Sequence, residues 1–132
     1  MADTKVRCVV VTPEKTELDT QCDALTLPLY DGEAGILPGR SPMVGRLGFG
    51  LLKLRTGDIT EKWYVDGGFV QVTRDGVYVL TDRLLKQDKI NKAQAEEDLQ
   101  KANAIVANST ETFALKDRSV AQARAKIKAA SN

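Results

Sequence analysis

Hydrophobic and polar positions along the chain change their pattern once. Up to Lys86, short segments rich in Val, Leu, Tyr and Phe alternate with Gly, Pro and Asp at intervals of about 8 to 12 residues, the spacing of an antiparallel sandwich or barrel. Beyond Lys86 there is neither Gly nor Pro, and residues 87–132 are dense in Ala, Lys, Glu, Gln and Asp, which read as helix. The pattern predicts an α+β chain. An N-terminal antiparallel β-sandwich occupies residues 1–86, and a C-terminal two-helix antiparallel hairpin occupies 87–132.

Within the first region the alternation predicts strands over Val6–Val11, Asp23–Leu29, Leu51–Arg55, Ile59–Val65, Phe69–Thr73 and Val77–Leu80, with short pieces at Thr16–Leu18 and Ile36–Leu37. Arg55-Thr-Gly-Asp58 and Arg74-Asp-Gly76 put glycine where tight hairpin turns need a positive φ. Period-2 alternation along Ile59–Val65 sends Ile59, Trp63 and Val65 to one face and Thr60, Lys62 and Tyr64 to the other. Trp63 is read as a core anchor with its indole N–H on a carbonyl.

In the second region the first helix starts at Asp88 or Asn91 and runs to Val106, with Ile90, Ala95, Leu99, Ala102 and Val106 on one stripe. Asn108-Ser-Thr110 breaks the pattern, and the second helix runs from Phe113 to Ala130 with Phe113, Val120, Ala123 and Ile127 near one face. Large apolar residues are scarce here. At about 1.5–3 kcal/mol for each well-buried side chain, they barely offset the entropy of ordering the segment. The hairpin should be marginal alone and should lean on the sandwich or on another protein.

Charge divides the two helices. Residues 88–111 carry Lys89, Lys92 and Lys101 against Asp88, Glu96, Glu97, Asp98 and Glu111, a balance of −2. Residues 112–132 carry Lys116, Arg118, Arg124, Lys126 and Lys128 against Asp117 alone, a balance of +4. The last helix is either a simple solvated face or a basic surface for an acidic partner, its own neighbour included.

Over the whole chain, 19 Lys+Arg against 18 Asp+Glu leave a formal charge of +1, so no nucleic-acid partner is expected. With no His among 132 residues there is no Ser-His-Asp or Cys-His nucleophile pair, and no metal site is expected. Cys8 and Cys22 have neither a metal spacing nor the look of a disulfide framework. The N-terminus lacks an export pattern and no long apolar run is present, so neither secretion nor membrane insertion is expected. No phosphate-binding glycine motif occurs, and Gly45-Arg-Leu-Gly-Phe-Gly50 is read as a flexible turn leading into Leu51. Asp31 and Glu33 sit beside glycines with nothing apolar to raise either pKa, so no catalytic residue and no cofactor are assigned.

The distinctive stretch is Asp31-Gly-Glu-Ala-Gly-Ile-Leu-Pro-Gly-Arg-Ser-Pro-Met43, an irregular, proline- and glycine-fixed segment that suits a structural corner or a contact surface. Its core, Gly32-Glu-Ala-Gly-Ile-Leu-Pro-Gly-Arg-Ser-Pro-Met-Val44, resembles a G-x-x-G-I-L-P-x-H-x-P-L-V segment, and Val65-Asp-Gly-Gly-Phe-Val-Gln-Val72 resembles an S-G-G-F-x-x-V strand. Val77-Tyr-Val-Leu-Thr-Asp82 resembles a strand that closes a sandwich. Together these resemble the ε subunits of the F-type rotary ATP synthase, whose sandwich-then-hairpin architecture covers the chain end to end.

The resemblance implies a non-catalytic subunit at the foot of the central stalk of a proton-translocating ATP synthase, bound to the γ subunit and the polar loops of the c-ring. It places Glu33, Pro38, Gly39 and Arg40 in the contact loop, with Arg40 where the family often has His. That exchange keeps a donor but makes its charge permanent. It also implies that the hairpin can extend along γ toward an acidic segment of the β subunit and block ATP hydrolysis, with Arg118, Arg124, Lys126 and Lys128 as contacts. Relatives that bind ATP carry I-D-x-x-R-A at the first helix. Here Ile90-Asn-Lys-Ala-Gln-Ala95 has Asn91 and Gln94 at the charged positions, so weak or no ATP binding is expected, and the same two residues read locally as a capping box. The implied location is the cytoplasmic face of a bacterial plasma membrane, or alternatively a thylakoid membrane. A second reading is a free-standing β-sandwich module whose Pro/Gly loop grips a small ligand. A deep apolar cavity would mark the module, and an exposed apolar strip on one sheet would mark the stalk subunit.

Overall fold

The computed structural model describes residues 5–131. The chain divides into two compact units, one ending at Lys86 and the other beginning at Gln87. The first unit is built from β1 (Val6–Val11), β2 (Thr16–Cys22), β3 (Ala24–Leu29), β4 (Gly32–Ile36), β5 (Met43–Thr56), β6 (Ile59–Val72), β7 (Val77–Leu80) and β8 (Leu84–Lys86).

Two long strands, β5 and β6, form one hairpin that serves both layers. Their register runs from Thr56↔Ile59 to Phe49↔Asp66, skips Gly48 and Gly67, and resumes at Leu47↔Gly68 through Met43↔Val72. On one side of that break the hairpin pairs with β8 and with most of β3, whose last residue crosses the break to pair with Leu47, and β3 carries β4. On the other side β6 pairs with β7, then β1, then β2. The inward side chains of both layers, among them Val10, Leu25, Leu27, Ile36, Leu52, Val65, Val70 and Val79, form a single buried cluster.

The expectation of a flexible turn at Gly45–Gly50 is corrected, because these residues are strand within β5. Glycine is needed there for close approach. A Cβ on Gly48 would lie 3.2 Å from the Leu29 carbonyl oxygen, and one on Gly50 would lie 3.0 Å from Pro28 Cβ, so β3 can cross the bend only over bare backbone. Likewise the separate strands expected at Ile59–Val65 and Phe69–Thr73 are one bent strand. All pairings are antiparallel except β1 with β7, which run parallel; residues 12–76 supply the long crossover that a parallel pair requires. The pieces expected at Thr16–Leu18 and Ile36–Leu37 extend into β2 and β4.

Trp63 packs against the core, as its face predicts, but its indole N–H is buried with no hydrogen-bond partner among the described residues. Tyr64, assigned to the opposite face, is fully buried too, and its hydroxyl donates to Asp66 Oδ1 at 3.1 Å. Both faces of β6 are therefore covered at this point, which period-2 alternation alone does not foresee. Cys8 and Cys22 are free and buried, and burial pushes the Cys8 thiol up to about 12.

The second unit starts with a 3-10 turn at Gln87–Lys89 and continues as α1 (Lys92–Asn103) and α2 (Thr110–Ser131), which pack on each other. The first helix ends at Asn103 rather than Val106, and the second begins at Thr110 rather than Phe113. Ser109 explains the earlier start. Its Oγ accepts from Thr112 N at 3.2 Å while Thr112 Oγ1 accepts from Ser109 N at 2.9 Å, a reciprocal cap. The buried residues of the two helices are all alanines, Ala95, Ala102, Ala123 and Ala129, while Val106, Phe113 and Leu115 are exposed. The expected stripes hold at their small members and fail at their ends.

Gly68 is the least replaceable residue of the bend. Its φ is +110°, and an added Cβ would fall 1.9 Å from the Leu80 carbonyl oxygen. Gly68→Ala is expected to destabilise the protein by about 2 kcal/mol or more, read as a lower urea midpoint by circular dichroism.

Candidate functional site

The loop between β4 and β5 is held by a tight turn. Arg40 N donates to the Leu37 carbonyl oxygen at 3.3 Å across Pro38 and Gly39, and Gly39 has φ +80°. Proline presets the first central position and glycine accepts the positive φ of the second, the signature of a type II turn. Arg40 Nη1 then donates to the Gly35 carbonyl oxygen at 2.7 Å, so the side chain ties the turn back to β4 while remaining exposed. Glu33 lies on β4, exposed, opposite Pro28 of β3. The turn thus holds Pro38, Gly39 and Arg40 together, while Glu33 stands on strand β4 rather than in the loop.

This loop walls a cleft of about 760 Å³ with two other segments, the start of β1 and the Thr73–Gly76 turn. Val6, Ile36, Val72 and Val77 form its floor; Lys5, Arg7, Arg40, Arg74 and Asp75 stand around it. The first two cations are paired. Arg7 makes a bidentate contact with Asp19, Nε to Oδ1 at 3.0 Å and Nη2 to Oδ2 at 2.8 Å, and Lys5 pairs with Asp23. The Arg7 contact holds the Asp19 carboxyl below the usual carboxylate range, and Lys5, helped by Gly57 N at 2.7 Å, does the same for Asp23.

A second feature lies on the outer face of the sheet. The cross-strand row Arg46↔Phe69↔Leu80 places Phe69 beside Leu80, and Val44 lies two residues before Arg46 on the same face. Val44 is 75% exposed, Phe69 61% and Leu80 52%. Tyr30, also exposed, lies under Arg46 with the guanidinium carbon 4.4 Å from the ring centroid. None of these residues is singled out by the sequence reading. The available signal was Phe69 itself, a large apolar residue next to inward-facing Val70 in a strict alternation.

In the helical unit, Asn91 Oδ1 accepts from Gln94 N at 3.0 Å, the first half of the expected capping box. The second half is absent, since the Gln94 side chain donates to Asp98 Oδ1 at 3.0 Å. The four basic residues of α2 do not form one stripe. At about 100° per residue, Arg124 and Lys128 share one flank, Lys126 lies on the opposite side and Arg118 between them, and Arg118 and Lys126 already interact with neighbours.

The sequence matches the family of the ATP synthase delta/epsilon chain β-sandwich domain over residues 5–87. It is 45% identical to the ATP synthase epsilon chain of Rhodopirellula baltica, covering 94% of this chain and 97% of that protein. It is 36% identical to the epsilon chain of Granulibacter bethesdensis, covering 81% and 78%. A chain in the cryo-EM structure of Euglena gracilis mitochondrial ATP synthase, OSCP/F1/c-ring in rotational state 1, has the same fold, with a TM-score of 0.87 at 18% identity over 100% of this chain and 84% of that one. A chain of the Tetrahymena thermophila mitochondrial ATP synthase central stalk and c-ring gives 0.75 at 16% identity, covering 98% and 99%.

The two carboxylates that hold the end of the sandwich give it an acid limb. Their lowered values mean that their stabilisation is full above the ordinary carboxylate range and is lost as pH falls through it. Arg7→Gln should therefore flatten the loss of stability measured by urea unfolding between about pH 5 and about pH 2, because Asp19 then titrates alike folded and unfolded.

Proposed function

The chain belongs to the ATP synthase delta/epsilon family, and from that premise we propose that it is a non-catalytic subunit of the central stalk of a proton-translocating ATP synthase. On this reading the sandwich unit binds the γ subunit and the polar loops of the c-ring and turns with them, and the helical unit restrains ATP hydrolysis. The observation that carries it is the exposed row of Phe69 and Leu80 with Val44 beside it. Several large apolar side chains side by side on a sheet, next to an arginine stacked on a tyrosine, are what a protein partner covers. This strip, rather than an enclosed apolar cavity, favours the stalk subunit over the ligand-binding module.

Glu33, Pro38, Gly39 and Arg40 are assigned to the contact with the c-ring and γ. The type II turn supports this, because it presents Leu37 and Arg40 on a fixed backbone. The regulatory assignment rests on the composition of the helical unit. With alanines buried and Phe113 and Leu115 exposed, it holds little core of its own and can change docking at low cost. Arg124 and Lys128 then remain available to an acidic segment of the β subunit, and Arg118 and Lys126 must first leave their present neighbours. Location at the cytoplasmic face of a bacterial plasma membrane follows through the complex; no helix among the described residues is long and apolar enough to cross a membrane.

Coexpression with the γ subunit of the same genome should give one-to-one co-elution on size exclusion, and Phe69→Asp should abolish it. ATP synthase assembled with a chain ending at Lys86 should hydrolyse ATP faster than the complex with the full chain, and equal rates would sink the inhibitory role. Calorimetry of the full chain alone should give no saturable heat at micromolar ATP, since Asn91 is committed to its helix cap and Gln94 to Asp98.

A further inference from the structure

The cleft at the end of the sandwich carries chemistry that the outer apolar strip does not. Its floor is apolar, with Val6, Ile36, Val72 and Val77 each less than a tenth exposed. At its mouth Leu37 is 60% exposed, an uncovered leucine between the cleft and solvent. The cations around it differ in their commitments. Lys5 and Arg7 are neutralised by Asp23 and Asp19, whereas Arg40 spends one N–H on a carbonyl and pairs with no carboxylate among the described residues. Arg74, which also lines the cleft, makes no ion pair among those residues either. Asp75 is the acid that stands against these two guanidinium groups in the cleft lining.

An occupant that satisfied this arrangement would bring carboxylates for Arg40 and Arg74 and an apolar side chain for Leu37 and the floor. A small inorganic anion would use the cations and leave the leucine uncovered. We propose that the cleft walled by Arg40 and Arg74 is a docking slot for an acidic loop of another ATP synthase subunit, one in which an apolar residue flanks the carboxylates. This rests on the reading of the chain as a stalk subunit and adds to it the charge of the partner. Guanidinium groups suit the role, since each can grip a carboxylate with two parallel N–H donors, and Arg40 is already oriented by its bond to Gly35.

The test uses ATP synthase stripped of this chain as the probe and full-length chain as the ligand, with rebinding measured at about 0.05 M and about 0.5 M salt. The double variant Arg40→Glu/Arg74→Glu should bind about tenfold or more weakly at low salt and approach the wild type at high salt, where charge repulsion is screened. Arg40→Lys/Arg74→Lys should bind between the Glu pair and wild type, because an ammonium keeps the charge but loses the two-donor grip, and circular dichroism should give all variants the same fold. Phe69→Asp should weaken binding at both salt concentrations. A cross-linker on Ser41→Cys, which lines the cleft, should capture a peptide containing Asp or Glu. Wild-type affinity in the double Glu variant, a loss insensitive to salt, or capture of a peptide without acidic residues would each overturn the docking slot while leaving the stalk reading intact. Failure of the wild-type chain to rebind at all overturns both.

Discussion

The fold depends on one close contact of backbone with backbone, where Gly68 of β6 passes the Leu80 carbonyl. Two strands of fourteen residues each cannot stay in one flat sheet and still enclose a core of this size. They bend together at Gly48 and Gly67–Gly68, and the bend lets one hairpin act as the spine of both layers. β3 crosses that point, pairing with Lys53, Leu54 and Arg55 on one side of it and with Leu47 on the other, and β7 and β8 attach to β6 on opposite sides. A side chain at residue 68 would force β6 away from β7, and the β7–β1–β2 half would lose its link to the rest.

The same bend arranges the two surfaces on which function is argued. Past it, β6 presents Val70 and Val72 inward, so Phe69 must face outward next to Leu80 of β7, and the apolar strip follows from strand geometry. The end of β6 and the turn into β7 form one wall of the cleft, and the loop preceding β5 forms another. The strip and the cleft are therefore coupled through the β5–β6 spine. A fixed relation between the strip and the cleft suits the proposed stalk role, since the loop and turn that wall the cleft are anchored to the strands that carry the strip.

Much of this was legible in the sequence, and the failures have local causes. The strand ends at Gly57 and Gly76 fall within a residue of those expected, because Gly57 takes a positive φ in a two-residue turn and Gly76 closes the turn after Val72 against Thr73. The run Gly45–Gly50 misled because glycine signals both flexible turns and close packing, and only the position of β3 decides between them. Glu33, Pro38, Gly39 and Arg40 are proposed contact residues that the motif alone nominates. Arg74 and Lys5 are not nominated, since they meet Arg40 only after the sandwich closes and sit far apart in the chain. The indole N–H of Trp63 is a different failure, a hydrogen bond expected on general grounds that is not made among the described residues.

The helical unit shows a different balance of forces. Its ends are well specified by side chains, with Asn91 capping α1 and the Ser109/Thr112 pair capping α2, each worth about 1 kcal/mol. Its middle is weakly specified, since alanine on alanine buries little area and permits close, smooth contact. Caps stabilise each helix whichever surface it lies against, while a large interlocking core would favour one docking above all others. A unit with strong caps and a thin core keeps its helices intact while exchanging what they touch, and the distribution of its residues selects for that property. Asn91 takes part in the same logic, since its amide oxygen closes the helix end and the side chain carries no carboxylate. Strong caps on a thin core suit the proposed regulatory role, in which two preformed helices exchange the surfaces they touch.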